Sequence, residues 1–265
     1  MQPPPAKSGF SLVELSIVLV ILGLLTGGIL AGQSLIRAAE LRSVATEYAK
    51  YTTAAQSFRD KYFAIPGDMS NATQFWGRLN SNADCLTNSS SAITTPGTCD
   101  GNGDGSISFQ NAASQSQEGF QYWRQLANAG LIEGSYTGIA GPAALSDTLA
   151  GINAPASKLA NAGWGINTIN AYLDGSAGID FSGYYGTYYF MGGKGNGTPP
   201  WNPVIKPEEA WNIDTKMDDG KPGTGKILAG ERPTCTTASN ATDYTAQYAL
   251  STTASTCKLY FIKLF

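Results

Sequence analysis

From Phe10 to Gly32 the chain runs twenty-three residues with one ionisable side chain, Glu14. A helix needs about 20 apolar residues to cross a bilayer, so this stretch specifies a membrane helix or an export signal. The segment before it, Met1-Gln-Pro-Pro-Pro-Ala-Lys7-Ser-Gly9, is short and polar with a single basic residue. A secretory signal has an apolar core of roughly 7–15 residues closed by an A-x-A-type site. This run is longer, and no such site closes it. Glu14 speaks against both a signal and a plain anchor, because a carboxylate inside an apolar span is costly and marks function.

Composition narrows the function classes. The chain has no histidine, which removes every Ser/His/Asp and Cys/His nucleophile and every His-containing metal site. Charged residues are 14% of the 265 and the net charge is −3, so no excess of positive charge exists to release counterions from nucleic acid. Nucleic-acid binding is not expected, and neither is enzymatic activity.

Gly9-Phe10-Ser11-Leu12-Val13-Glu14, continuing through Leu15-Ser16-Ile17-Val18-Leu19-Val20-Ile21-Leu22-Gly23-Leu24-Leu25, resembles the class III signal of type IV pilins and type II secretion pseudopilins. In that family a membrane peptidase cuts on the cytoplasmic side after the glycine and methylates the new N-terminus. Carried onto this chain, the cut falls between Gly9 and Phe10, and Glu14 becomes the fifth residue of the mature protein. The resemblance implies a structural subunit that polymerises through its N-terminal helix into a pilus-like filament. Its partners would be copies of itself, other pilins, the prepilin peptidase and the inner-membrane assembly platform. It would reside in the bacterial inner membrane before assembly, then in a periplasmic or extracellular filament. The alternatives are a type II secretion pseudopilin and a membrane-anchored periplasmic binding domain that never polymerises. One departure stands out: many pilins carry a proline in the second half of this stretch, where Gly23, Gly27, Gly28 and Gly32 stand here.

Glu14 fits an assembly role physically. After cleavage Phe10 carries a free α-amino group, and in a staggered helical array the amine of an incoming subunit can meet the Glu14 of a neighbour. Opposite charges attract strongly in a medium of low dielectric, so the pair would set register.

The expected organisation is a leader at 1–9, a membrane and assembly helix at 10–33, its amphipathic continuation at 34–63, and an extracytoplasmic head at 64–265. Leu41, Val44, Tyr48, Tyr51, Ala55, Phe58 and Tyr62 recur at steps of three and four, the stripe of an amphipathic helix. Arg42, Glu47, Lys50, Arg59, Asp60 and Lys61 are assigned to its other faces. No proline intervenes before Ile65-Pro66-Gly67-Asp68. The head reads as α+β: further helices near Ser116–Asn128 and from Pro207, strands near Ile179–Met191 and Cys257–Ile262, a small antiparallel sheet packed on the long helix, and long loops.

Cys85, Cys99, Cys235 and Cys257 all lie in the head. Four cysteines in a translocated domain suggest disulfides, with three possible connectivities. The local pairs Cys85–Cys99 and Cys235–Cys257 are favoured, since each would close a Ser/Thr-rich loop.

Two acidic segments suggest calcium. Asp100-Gly-Asn102-Gly-Asp104-Gly105-Ser106-Ile107 places oxygen side chains at loop positions one, three and five, glycine at six and the Ser106 carbonyl at seven, as in an EF-hand. Asn111 stands where an EF-hand has glutamate, so Glu118 is the candidate for the missing carboxylate. The second segment is Asp214, Asp218 and Asp219, near a helix C-terminus where negative charge is unfavourable. A cation, or Lys216 and Lys221, would have to compensate. Major pseudopilins hold calcium in a C-terminal loop, and the resemblance extends that expectation here without aligning individual ligands.

Gly220-Lys-Pro-Gly-Thr-Gly225-Lys226 imitates the spacing of a phosphate-binding loop, but Ile227 stands where magnesium needs Ser or Thr. It is not a nucleotide site. Tyr184-Tyr-Gly-Thr-Tyr188-Tyr-Phe190 reads as a strand with aromatic side chains on both faces.

Overall fold

The computed structural model describes residue 9 and residues 11–79, 96–108, 118–175 and 181–265. The helix expected from the apolar run and the stripe after it is one element, α1, Leu12–Tyr62. The chain divides into two compact units, Met1–Glu40 and Leu41–Phe265. The second therefore takes in the last turns of α1 and everything that follows.

Within the first unit the apolar side chains of α1 are exposed, and its most apolar 18-residue window has a mean hydropathy of 2.4 with none of it buried. It is long and apolar enough to cross a membrane. Its polar side chains fold back on the helix. Thr26 Oγ1 donates to the Leu22 carbonyl at 2.9 Å, Ser16 Oγ to Val13 at 2.8 Å and Ser34 Oγ to Ala31 at 2.8 Å. Such back-bonding gives these three hydroxyl protons an acceptor where hydrocarbon would offer none.

In the second unit, α1 is followed by α2 (Thr73–Trp76), α3 (Glu118–Asn128), β1 (Ala162–Ile169), β2 (Gly186–Gly193), α4 (Pro207–Met217), β3 (Ile227–Gly230) and β4 (Lys258–Phe261). The strands form one antiparallel sheet in the order β1-β2-β4-β3. The fold is α+β, a long helix with a small antiparallel sheet and long loops.

Period-two alternation along β2 explains the packing. Tyr189 and Met191 face the cluster shared with Val44, Tyr51, Ala55 and Phe58 of α1. Tyr188 and Phe190 face a second cluster with Phe120, Leu228 and Tyr260. The aromatic segment thus buries side chains on both faces, as its composition suggests. Tyr48 of α1 stacks on Phe261 at 4.9 Å, and Tyr51 meets Trp123 and Trp164 edge to face at 5.1 and 5.6 Å. Such pairs add about 0.5–1.5 kcal/mol each beyond area burial.

The stripe on α1 packs on the core as expected, Val44, Tyr51, Ala55 and Phe58 buried and Leu41, Tyr48 and Tyr62 partly so, with one correction. Glu47 is not on a solvated face but is buried. It lies three residues after Val44 and four before Tyr51, within the stripe, and three donors reach it. Ser157 Oγ, the Lys158 N–H and the Trp164 indole N–H each approach its carboxylate to 2.7 Å.

Helix α3 begins within the expected span and is closed by Gly130 at φ 72°. It is buried all round rather than on one face, because loops cover its outer side. Gln121 accepts from the Thr98 hydroxyl and the Cys99 N–H, and Gln125 accepts the Gly67 N–H at 2.6 Å. Gly67, at φ 85°, passes so close that an added Cβ would lie 2.4 Å from the Glu118 carbonyl oxygen.

The strand expected at Ile179–Met191 is shorter and shifted to Gly186–Gly193, and residues 176–180 lie outside the described set. Strands β1 and β3 carry no separate expectation in the sequence: both are glycine-containing and weakly alternating. Cys235 and Cys257 form a disulfide. Cys99 is also disulfide-bonded, while Cys85 lies outside the described residues.

Candidate functional site

At the N-terminus the structure gives Glu14 a partner that the sequence reading did not assign. The Ser11 N–H donates to Glu14 Oε2 at 2.8 Å, and the Glu14 N–H donates to Ser11 Oγ at 3.2 Å. This reciprocal pair is a capping box, readable in Ser-x-x-Glu, and it satisfies two N–H groups at the start of α1. The carboxylate therefore caps its own helix in the isolated chain, on an exposed segment open to a neighbouring molecule. Gly9 is exposed, and Phe10 lies outside the described residues. A Cβ added at Gly23, Gly27, Gly28 or Gly32 would meet nothing within 4 Å. Packing inside this chain does not demand these glycines.

Residues 5–30 match the family model described as the prokaryotic N-terminal methylation motif. The chain carries a class III prepilin signal. That signal is the one found on type IV pilins and pseudopilins, and here it leads into an apolar helix long enough to span a membrane. No curated protein and no solved structure matches the chain. The prepilin signal covers only the start of the chain, so the head must be read from its own geometry.

Three amides of the Asp100 loop converge on one carboxylate. Asp68 accepts the N–H groups of Gly103 at 2.7 Å, Asp104 at 3.1 Å and Gly105 at 2.9 Å. Asp100 accepts the Thr73 N–H and hydroxyl, each at 2.8 Å. Asn102 and Asp104 bond to each other at 2.9 Å, and Asp104 accepts the Ser106 N–H at 2.8 Å. Glu118, almost fully buried, accepts the N–H groups of Asn102 at 3.3 Å and Ser108 at 3.2 Å. Burial pushes the Glu118 carboxyl up to about 7, against the two amides that lower it. Burial also raises Asp68, against its three amides. Glycine-rich turns expose successive N–H groups, which make an anion nest. Here the nested anion is the protein's own Asp68.

Asp214, Asp218 and Asp219 do come together: their carboxylate oxygens lie within 4.8 Å of one another, the acidic group of that kind among the described residues. Asp214 is on the last turns of α4 and fully buried. It accepts the Tyr248 hydroxyl at 2.7 Å and the Gly220 N–H at 3.1 Å, yet burial still pushes its carboxyl up to about 7. Asp218 accepts the N–H groups of Lys226 and Ile227. Asp219 accepts the Lys221 N–H at 2.9 Å and the Thr224 hydroxyl at 2.5 Å. The hydrogen-bond donors that reach these three carboxylates are thus amides and hydroxyls. The same residues explain the phosphate-loop mimicry, since Gly220–Ile227 cradles the Asp218 and Asp219 carboxylates. At Gly225, φ 79°, an added Cβ would collide with the Asp218 carboxylate.

Proposed function

We propose that this chain is the subunit of a type IV pilus-like filament, cut between Gly9 and Phe10 and polymerised through its N-terminal helix. The observation that carries this reading is the prepilin signal at 5–30 continuing into an exposed, membrane-length helix. A carboxylate at Glu14 and four glycines with open space beside them supply what a helical array needs, a register-setting charge and sites of close backbone approach. In the assembled state Glu14 would exchange its Ser11 amide for the α-amino group of a neighbouring Phe10. Mass spectrometry of the mature chain tests the cleavage, and electron microscopy of cell-surface preparations tests the filament. A mature N-terminus other than Phe10 would overturn the reading.

A type II secretion pseudopilin is the second reading, supported by the gathered acids at the end of α4. Three hard carboxylate oxygens suit calcium better than a softer metal, and Asp214, raised to about 7 by burial, would ionise more fully on gaining a cation. In this proposal Asp214, Asp218 and Asp219 hold calcium, whose charge offsets theirs around the buried Asp214, and the Asp100 loop needs none.

A further inference from the structure

Most of the tyrosines in the aromatic segment are spent on the core: Tyr185, Tyr188 and Tyr189 are at most 1% exposed. Tyr184 is 67% exposed, Tyr172 beside it 52% and Tyr244, next to Tyr172, 38%. Their placement follows from one backbone rung. Leu173 and Gly183 exchange hydrogen bonds of 3.0 and 2.9 Å as an isolated antiparallel bridge. Leu173 packs inward against the cluster containing Tyr188 and Phe190. Side chains alternate along extended backbone, so Tyr172 and Tyr184, directly opposite each other one step from the rung, project outward. Their rings meet edge to face at 5.3 Å and 68°.

The third ring is fastened to the same rung. The Ser182 N–H donates to the Ala241 carbonyl at 2.8 Å, and the Tyr244 hydroxyl donates to the Ser182 carbonyl at 2.9 Å. Phe181, buried with Ala238 and Ala246, stacks on the Tyr244 ring at 6.5 Å. Burial, and then the neighbouring Tyr172 hydroxyl, push the Tyr244 phenol above its ordinary range. Three exposed phenols are thus held on backbone that is hydrogen-bonded on both sides.

We infer that Tyr172, Tyr184 and Tyr244 form a binding surface for a neutral carbohydrate. A tyrosine offers a flat apolar ring and a polar rim at low cost in side-chain entropy, which matches a sugar's C–H face and its ring of hydroxyls. Charge separates this ligand from the other planar one. Binding of single-stranded nucleic acid joins aromatic stacking to a cationic groove. The segments that build this surface, 170–175, 181–187 and 238–247, contain no lysine or arginine and two aspartates, Asp174 and Asp243. These segments themselves offer a polyanion no countercharge, the adjoining Lys263 reaching them through its backbone N–H on the Tyr185 carbonyl, whereas sugar hydroxyls can donate to carboxylates. The inference is independent of how the N-terminal helix assembles.

The test uses the full-length chain in a detergent without a sugar head group. Saturation-transfer NMR and calorimetry would be run with cellotetraose, chitotetraose and lacto-N-tetraose as neutral probes, and with a heparin tetrasaccharide and oligothymidylate as anionic ones. The expected result is binding of at least one neutral probe, weakened about tenfold or more by Tyr184→Ala and by Tyr172→Ala, a loss of about 1.4 kcal/mol per tenfold. Tyr184→Phe, which keeps the ring, should bind within about threefold of the parent, and melting curves should confirm that every variant is folded. No binding of any neutral probe, tighter binding of an anionic one, or an unaltered Tyr184→Ala would each overturn the inference.

Discussion

Glu47 on α1 accepts the indole N–H of Trp164 at 2.7 Å, joining the helix to the first strand of the sheet across 117 positions of sequence. With the Ser157 hydroxyl and Lys158 N–H on the same carboxylate, it forms a clamp between the helix and the loop before β1. Hydrogen bonds to a charged group are worth about 1.5–3 kcal/mol, and stranding buried donors costs about 1–3 kcal/mol each. Glu47→Ala is therefore expected to destabilise the head by about 3 kcal/mol or more. Glu47→Gln, which keeps an acceptor, should cost less. Urea denaturation of the two variants checks the order.

Stability should also depend on pH through Glu118. Its carboxyl is raised to about 7 in the folded protein from an ordinary 4.5, chiefly by burial. A carboxyl raised in the folded state favours the protonated form, so its contribution is fully present below about pH 4.5 and is lost as pH rises through about 7. Asp68, also raised, acts in the same direction. Unfolding free energy should fall by about 1–3 kcal/mol between pH 5 and pH 8, and Glu118→Gln should flatten that slope. An unchanged slope in the variant would assign the effect elsewhere.

Replacing Glu14 by alanine removes a charge from an apolar span and one half of a capping box. Membrane insertion and the folded head should survive, while filament yield should fall severely because the register-setting charge is gone. Ser11→Ala separates the two roles of the carboxylate. It weakens only the cap, by about 1 kcal/mol, and should leave assembly largely intact. Normal filaments from Glu14→Ala would remove the assembly role.

Calcium should raise the melting temperature of the chain through the α4 acids. Asp214→Asn with Asp219→Asn should abolish most of that rise, and Asp100→Ala with Asp104→Ala should leave it. Thermal scans with calcium and with chelator decide. A shift that follows Asp100 and Asp104 instead would return the cation to that loop.

The disulfide between Cys235 and Cys257 closes a loop of sequence separation 22. In the chain-entropy model such a loop is worth about 3 kcal/mol. Cys235→Ser with Cys257→Ser should lower stability by about that much, measured under oxidising conditions.

Local sequence determined the N-terminal helix of this protein. The apolar run, Glu14 and the stripe from Leu41 to Tyr62 follow from periodicity and transfer energetics alone, and the structure extends them as one helix. The α+β class, α3, α4 and the last strand were legible for the same reason, since each has a cap or an alternating apolar pattern near its ends. What only the tertiary structure decided is where each polar group finds its partner. Glu47 sits at a helical spacing that reads equally as surface or core until Trp164 reaches it from far along the chain. The Asp100–Ser106 loop has the side-chain pattern of a cation site, and its fold also turns its amides toward Asp68, a residue that the loop's own sequence does not contain. Gly220–Lys226 imitates a phosphate loop and instead holds the Asp218 and Asp219 carboxylates. A glycine-rich turn fixes how its N–H groups are spaced, and long-range packing fixes which anion they receive.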